Sequence, residues 1–212
     1  MPEDVRVTTA DLVARAAGLA ATGRRVLLGI TGPPGAGKTT LARAVVDGLG
    51  PDCAVLVPMD GFHLADPTLV AWGRRARKGA PDTFDVGGYV SLLGRLRDQR
   101  EPYVHAPEFD RASETSLGSA LPVPREVPLV VTEGNYLLST DGAWAGVAPL
   151  LDEVWFVDVP DDLRVDRLVR RREDYGADHA EAVAWATGSD QANADVVAAT
   201  RERADLAVTL VG

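Results

Sequence analysis

Apolar residues along this chain fall into short unbroken runs separated by stretches in which they recur every three or four positions. The runs 26–30 (Val-Leu-Leu-Gly-Ile), 53–59, 127–132, 154–159 and 206–211 read as buried strands, five in all. Between them, helical spacing marks a segment capped by Thr8 or Thr9 and reaching about residue 21, with Leu12, Val13, Ala16 and Leu19 on one face. The same spacing marks 40–49, a segment behind Asp85 to about residue 100 bearing Val90, Leu92, Leu93 and Leu96, and a helix opening near Asp161. Strands alternating with helices predict an α/β fold: a parallel five-stranded sheet with helices on both faces. Residues 67–82 lack clean periodicity and read as a loop with a short helix. Tyr103-Val104-His105 reads as a short extended piece with Tyr103 and His105 on one face, and 108–125, rich in Ser, Gly and Pro, as a surface excursion.

The junction between the first strand and its helix carries the chemistry. Gly32-Pro33-Pro34-Gly35-Ala36-Gly37-Lys38-Thr39 is a complete P-loop in a strand-to-helix context. Glycines let backbone N–H groups converge on one point, and the helix N-terminus adds its positive dipole end there. With Thr40 these residues form the expected ATP-binding loop, Lys38 reaching the β- and γ-phosphates and Thr39 giving its hydroxyl to Mg²⁺. The lysines are Lys38 and Lys78; the other twenty basic residues are arginines. A site that needs a slim point charge is where lysine is expected to persist.

Composition narrows the partners. A single domain spanning 1–212, with a lid around 161–190, suits 212 residues. A net charge of −9 and a pI near 4.8 disfavour nucleic acid and favour a small-molecule substrate. One cysteine, Cys53, allows no internal disulfide framework and is expected to pack as a small apolar residue. Nothing at the N-terminus has the pattern of a secretory signal, and no apolar run approaches membrane-spanning length, so a cytoplasmic location is expected.

What accompanies a P-loop decides its use. Asp60, just past the second strand, stands where a carboxylate accepts the proton of an attacking hydroxyl; its alternative is a turn cap before Gly61. Glu133 and Asp158 each close an apolar strand, and either could serve Mg²⁺; periodicity does not choose between them. Beyond Asp161, Val165, Leu168 and Val169 form an apolar stripe, leaving Arg164, Arg167 and Arg171 on a flanking face where arginines can neutralise charge on a transferring phosphoryl group. Asp166 and Arg170 form an i,i+4 pair on the same helix. Asn193 shares a helical face with Val196, Val197 and Thr200 and is expected to point inward. His63, Tyr103 and His105 near Asp60 suggest a polar substrate pocket, and three histidines scattered along the chain do not have the spacing of a metal site.

With these residues assembled, the chain resembles the uridine kinase, pantothenate kinase and phosphoribulokinase group of P-loop kinases, from the P-loop to the C-terminus. The motifs are Met59-Asp60-Gly61-Phe62-His63, the stretch from Arg77 to Asp85, Pro102-Tyr103-Val104-His105, Glu133-Gly134-Asn135, the arginines from Arg167 to Arg172, and the segment from Asp190 to Asp205. It is similar in length to small members described as nucleoside/nucleotide kinase-like or fructose-transport-system kinase-like. The resemblance implies a metabolite kinase that uses ATP and Mg²⁺. In it Asp60, Lys38 and Arg167 are catalytic, Arg171 is on the nucleotide, and Thr39 and Glu133 are at the metal, which favours Glu133 over Asp158. Asp60, His63, Arg77, Tyr103, His105 and Asn193 are toward a nucleoside, pantothenate-like or sugar acceptor. Homodimers are common in such kinases. A guanine-reading switch protein would need an Asn/Thr-Lys-x-Asp segment, and neither lysine stands in one; an ATP-binding regulator without an acceptor is the other alternative.

Overall fold

A computed structural model describes residues 1–211. The five apolar runs become strands β2 (Val26–Thr31), β3 (Ala54–Pro58), β6 (Leu129–Glu133), β7 (Glu153–Asp158) and β8 (Leu206–Leu210); β1 (Glu3–Val7) precedes them, and a hairpin of β4 (Tyr103–Asp110) and β5 (Thr115–Pro124) lies between β3 and β6. The main sheet is parallel throughout and ordered β1-β8-β7-β2-β6-β3.

It has six strands rather than the expected five. The extra one, β1, lies at the edge against β8, where only Val5 and Val7 are even half-buried, so it lacks the apolar run by which the inner strands were recognised. The expected surface excursion at 108–125 is also corrected: it supplies β5, antiparallel to β4, and most of its side chains are exposed apart from Val123. Cys53 does not pack inside. It is exposed, one residue before β3 begins.

Period-two alternation sends successive strand residues to opposite faces, and both faces are covered. On one, Val26, Leu28, Ile30, Val131, Trp155 and Val157 meet α1 (Thr9–Ala20) through Leu12 and Ala16 and α2 (Lys38–Leu49) through Leu41, Ala42 and Val45. On the other, Leu27, Val57, Val130 and Phe156 meet α4 (Val86–Arg97) through Leu92, Leu93 and Leu96 and the hairpin through Val104, Ala106 and Val123. Thr8 caps α1 reciprocally with Asp11, and Asp85 caps α4 by accepting from the Gly88 amide, as the sequence suggested. The short helix expected within 67–82 is α3 (Asp66–Ala71).

Past β7 the chain builds α5 (Asp161–Asp174), α6 (His179–Thr187) and α7 (Ser189–Ala198). Leu168, Val169, Ala182 and Ala186 give this part a small apolar cluster of its own, separate from the two that cover the sheet. No helix among the described residues is long and apolar enough to cross a membrane.

Candidate active site

Sheet register brings the key residues to one level. Glu133 at the end of β6 lies opposite Ile30 on one side and Pro58 on the other, so the P-loop begins two residues beyond one neighbour and Asp60 stands two residues beyond the other. All three emerge at the C-terminal ends of parallel strands, where open α/β sheets bind ligands.

In the P-loop, Gly35 has φ +82°, and a Cβ there would come within 2.7 Å of the Arg164 carbonyl, so backbone sign and space both demand glycine. Gly37, left-handed as well, begins α2, whose first turn receives no side-chain cap. Uncapped N–H groups at a helix start suit an anion. Lys38 is buried and donates to the Pro33 carbonyl at 3.0 Å; burial lowers its ammonium pKa to about 8. The Thr39 hydroxyl donates to Glu133 Oε1 at 3.0 Å. Burial first, then the neighbouring Asp60 carboxylate, push the Glu133 carboxyl up to about 7. A buried carboxylate beside a hydroxyl, with a second carboxylate near, is a set of hard oxygen donors suited to Mg²⁺. Asp158, the competing carboxylate, is occupied by Arg201 at 2.7 Å.

Asp60 lies in a 3-10 turn, Met59–Phe62, directly after β3. A Cβ on Gly61 would collide with the Pro107 carbonyl of β4, so the hairpin packs tightly against the backbone that carries Asp60. Asp60 accepts from Arg111 Nη2 at 3.0 Å. Arg111 opens the four-residue turn between β4 and β5, and no local pattern in the sequence marks it as a partner of Asp60.

The arginines of α5 divide by environment. Arg164, expected beside the others on an open face, is fully buried: it is bonded to Asp161 at 3.0 Å and to Gln191, with its chain under Gly35. Arg167 reaches over the P-loop, its Nη1 3.4 Å from the Ala36 carbonyl. Arg171 keeps contact with solvent, yet crowding by surrounding protein, then by Arg111, lowers its pKa. Asp166 and Arg170 form the expected surface pair at 3.1 Å.

The acceptor-side residues are only partly gathered. Asn193 is buried, as expected, with Nδ2 facing Gly79, whose carbonyl accepts from the Tyr136 hydroxyl at 2.6 Å. Tyr103 and His105 share a face of β4 with ring centroids 6.5 Å apart, but both rings are solvent-exposed, and among the described residues neither contacts Asp60. Arg77 is bound to Asp82; its neighbour Lys78 is the basic residue drawn inward, against Asp66 and Glu114. A cavity of about 290 Å³ flanks the P-loop on its other side, between Thr9, Ala36, Thr40, Ala44, Arg167 and Leu210.

His63 packs between Phe84, at 4.1 Å between centroids, and Phe109, at 4.9 Å, and its Nδ1 has no partner. Burial lowers its pKa from 6.5 to about 4. The unfolded chain therefore binds the extra proton between these values: the stability present above pH 6.5 is lost as pH falls toward 4. At pH 5 this costs about 2 kcal/mol. Urea unfolding at pH 8 and pH 5 is expected to show a smaller drop for His63→Phe than for wild type; an equal drop would mean His63 titrates normally in the fold.

A phosphate-cradling loop, a hydroxyl–carboxylate pair and a strand-end Asp on a parallel sheet define a P-loop nucleotide-dependent kinase architecture. No protein-family model matches the chain. It is 34% identical over 192 residues to the uncharacterized protein YggC of Escherichia coli K12, covering 88% of this chain and 78% of that one. A uridine kinase of Leuconostoc citreum KM20 is 33% identical, with 69% of this chain and 68% of the relative covered. Among solved structures, one from Silicibacter sp. TM1040, provisionally described as a fructose transport system kinase, superposes with a TM-score of 0.82 at 38% identity over 94% of this chain and 98% of the other. The chain belongs to the uridine kinase-like family of P-loop, ATP-dependent kinases.

Proposed function

We propose that the protein transfers the γ-phosphoryl group of ATP to a hydroxyl of a small metabolite, with Asp60 as general base. The observation that carries this is the register of Glu133 between Ile30 and Pro58, which sets a phosphate cradle and an independent carboxylate on either side of a buried metal-type ligand. The triphosphate lies along 32–40, with Lys38 on its β- and γ-oxygens, and its base enters the cavity beside Thr40 and Leu210. Thr39 and Glu133 would hold Mg²⁺, which would supply positive charge against the triphosphate. Asp60 accepts the acceptor's proton and orients the oxygen in line with the γ-phosphorus. The α5–α7 unit acts as a lid: Arg167 already spans the loop, and Arg171 joins it to balance developing charge and exclude water.

Uridine is the first acceptor to examine, because a relative bears that name; pantothenate-like compounds and sugars follow. The test is mass-spectrometric detection of added phosphate over a panel of uridine, cytidine, pantothenate, fructose, ribulose 5-phosphate and glycerate, with ATP and Mg²⁺. One product supports the reading and names the acceptor class. ATP bound with no member modified, nor any compound in a metabolite extract, would favour a nucleotide-binding regulator.

A further inference from the structure

The ion pair between Arg111 and Asp60 has no part in the transfer described above. It lies beside a cavity of about 320 Å³ lined by Arg43, Glu108, Phe109, Asp110, Arg111 and Leu117. Arg111 stands at the turn joining β4 to β5, and that turn is fixed from below. Lys78, its side chain almost fully buried, donates to Asp66 Oδ1 at 2.7 Å and to the Glu114 carbonyl at 2.8 Å, with Nζ 5.2 Å from the centre of the Phe109 ring. Arg75 ties the same two acids, at 2.6 Å to Asp66 and 3.1 Å to Glu114. Asp110 closes the turn by accepting from the Ala112 amide and the Ser113 hydroxyl. The Arg111 side chain, by contrast, remains 41% exposed. The backbone is built in place while the guanidinium is left able to regroup.

A hydroxyl that gives its proton to Asp60 must rest against the carboxylate Arg111 already touches. The guanidinium carries five N–H donors, and its planar fork matches a carboxylate or phosphate, which accept two parallel bonds, better than a lone hydroxyl. Arg43, one turn after Thr39 on α2, adds a second permanent positive charge to the cavity wall. Glu108 and Asp110 oppose them on the same wall; Asp110 is engaged by its own turn, and Glu108, like Arg43, is solvent-exposed, where screening weakens its reach, so Arg111 is the principal cation here. An anion that engages Arg111 would also draw it from Asp60.

We propose that the acceptor carries a carboxylate or phosphate besides the hydroxyl that is phosphorylated, and that Arg111, assisted by Arg43, reads this group. The proposal rests on the kinase reading with Asp60 as base. Its test is calorimetric titration of protein loaded with Mg²⁺ and a non-hydrolysable ATP analogue. Three matched pairs are used: glycerate and glycerol, pantothenate and pantothenol, ribulose 5-phosphate and ribulose. At least one anionic member is expected to bind tenfold or more tighter than its neutral partner, and the pair concerned distinguishes carboxylate from phosphate. In Arg111→Gln that advantage falls by about 10- to 100-fold, the range for charge-assisted pairs, while Arg111→Lys retains part of it. Neutral partners bound as tightly, no anion bound at all, or an advantage that survives in Arg111→Gln would each overturn the proposal. Failure of the kinase reading would show separately, as absence of phosphoryl transfer to any acceptor.

Discussion

Asp60→Asn lowers kcat by about 10²- to 10⁴-fold, or roughly 3 to 5 kcal/mol, while the dissociation constant for ATP stays within a few-fold. Asparagine has nearly the same shape and still offers an oxygen to Arg111, so the 3-10 turn and its packing against Pro107 should persist. What it cannot do is take a proton. The change also removes a negative charge that pushes the Glu133 carboxyl up, so Glu133 ionises more readily in the variant and metal binding should not suffer. Turnover with the identified acceptor, measured beside fluorescence titration of a nucleotide analogue, separates the two effects. A kcat reduced less than tenfold would leave Asp60 a positioning group and remove it as base.

Lys38→Met should abolish useful nucleotide chemistry without harming the fold. Its ammonium is buried, only 7% exposed, with the Pro33 carbonyl as its hydrogen-bond acceptor. Burial has already lowered its pKa to about 8, a sign that the empty site holds this charge at a cost. A triphosphate reverses that balance by setting strong anionic acceptors against Nζ. Loss of one preorganised cation at the transferring group is worth roughly 10²- to 10³-fold, so kcat/KM for ATP should fall at least that far. Methionine fills similar space without the charge and so relieves the burial penalty that outweighs the pull of Glu133 and Asp60 on the ammonium. Thermal unfolding of the variant without nucleotide is expected at or above the wild-type midpoint, whereas the rise in midpoint caused by Mg-ATP disappears. Retention of that nucleotide-dependent rise would show that the backbone cradle alone holds the triphosphate.

Much of the fold was legible because its inner strands are buried on both faces and so appear as unbroken apolar runs. The same reasoning narrowed the α1 cap to Thr8 or Thr9 and located Asp85 as a cap and Asn193 as an inward amide. It failed where burial is one-sided. Strand β1 has a partner on one edge only, and β5 exposes most of its residues, so neither carries the pattern its conformation would lead one to seek. Arg164 was misplaced for a related reason. A helix stripe read from apolar residues leaves out a charged side chain that is buried because Asp161 and Gln191 satisfy it. Tyr103 and His105 did fall on one face, but periodicity says which residues share a face, not what that face meets.

The sequence by itself determined the phosphate loop, its lysine and hydroxyl, the strand-end carboxylates and the alternation that makes a parallel sheet, because each depends on residues close together in the chain. Only the tertiary structure shows which of the two carboxylates meets the Thr39 hydroxyl. Strand order puts β6 beside β2 and β3, so Glu133 reaches Thr39, while β7 carries Asp158 toward β8 and Arg201. It also decided that Arg111, 51 positions from Asp60, closes on it. Hydrogen bonds and charges act through distances of a few ångströms, and which distant residues come that close is set by strand order and register, which no local pattern encodes.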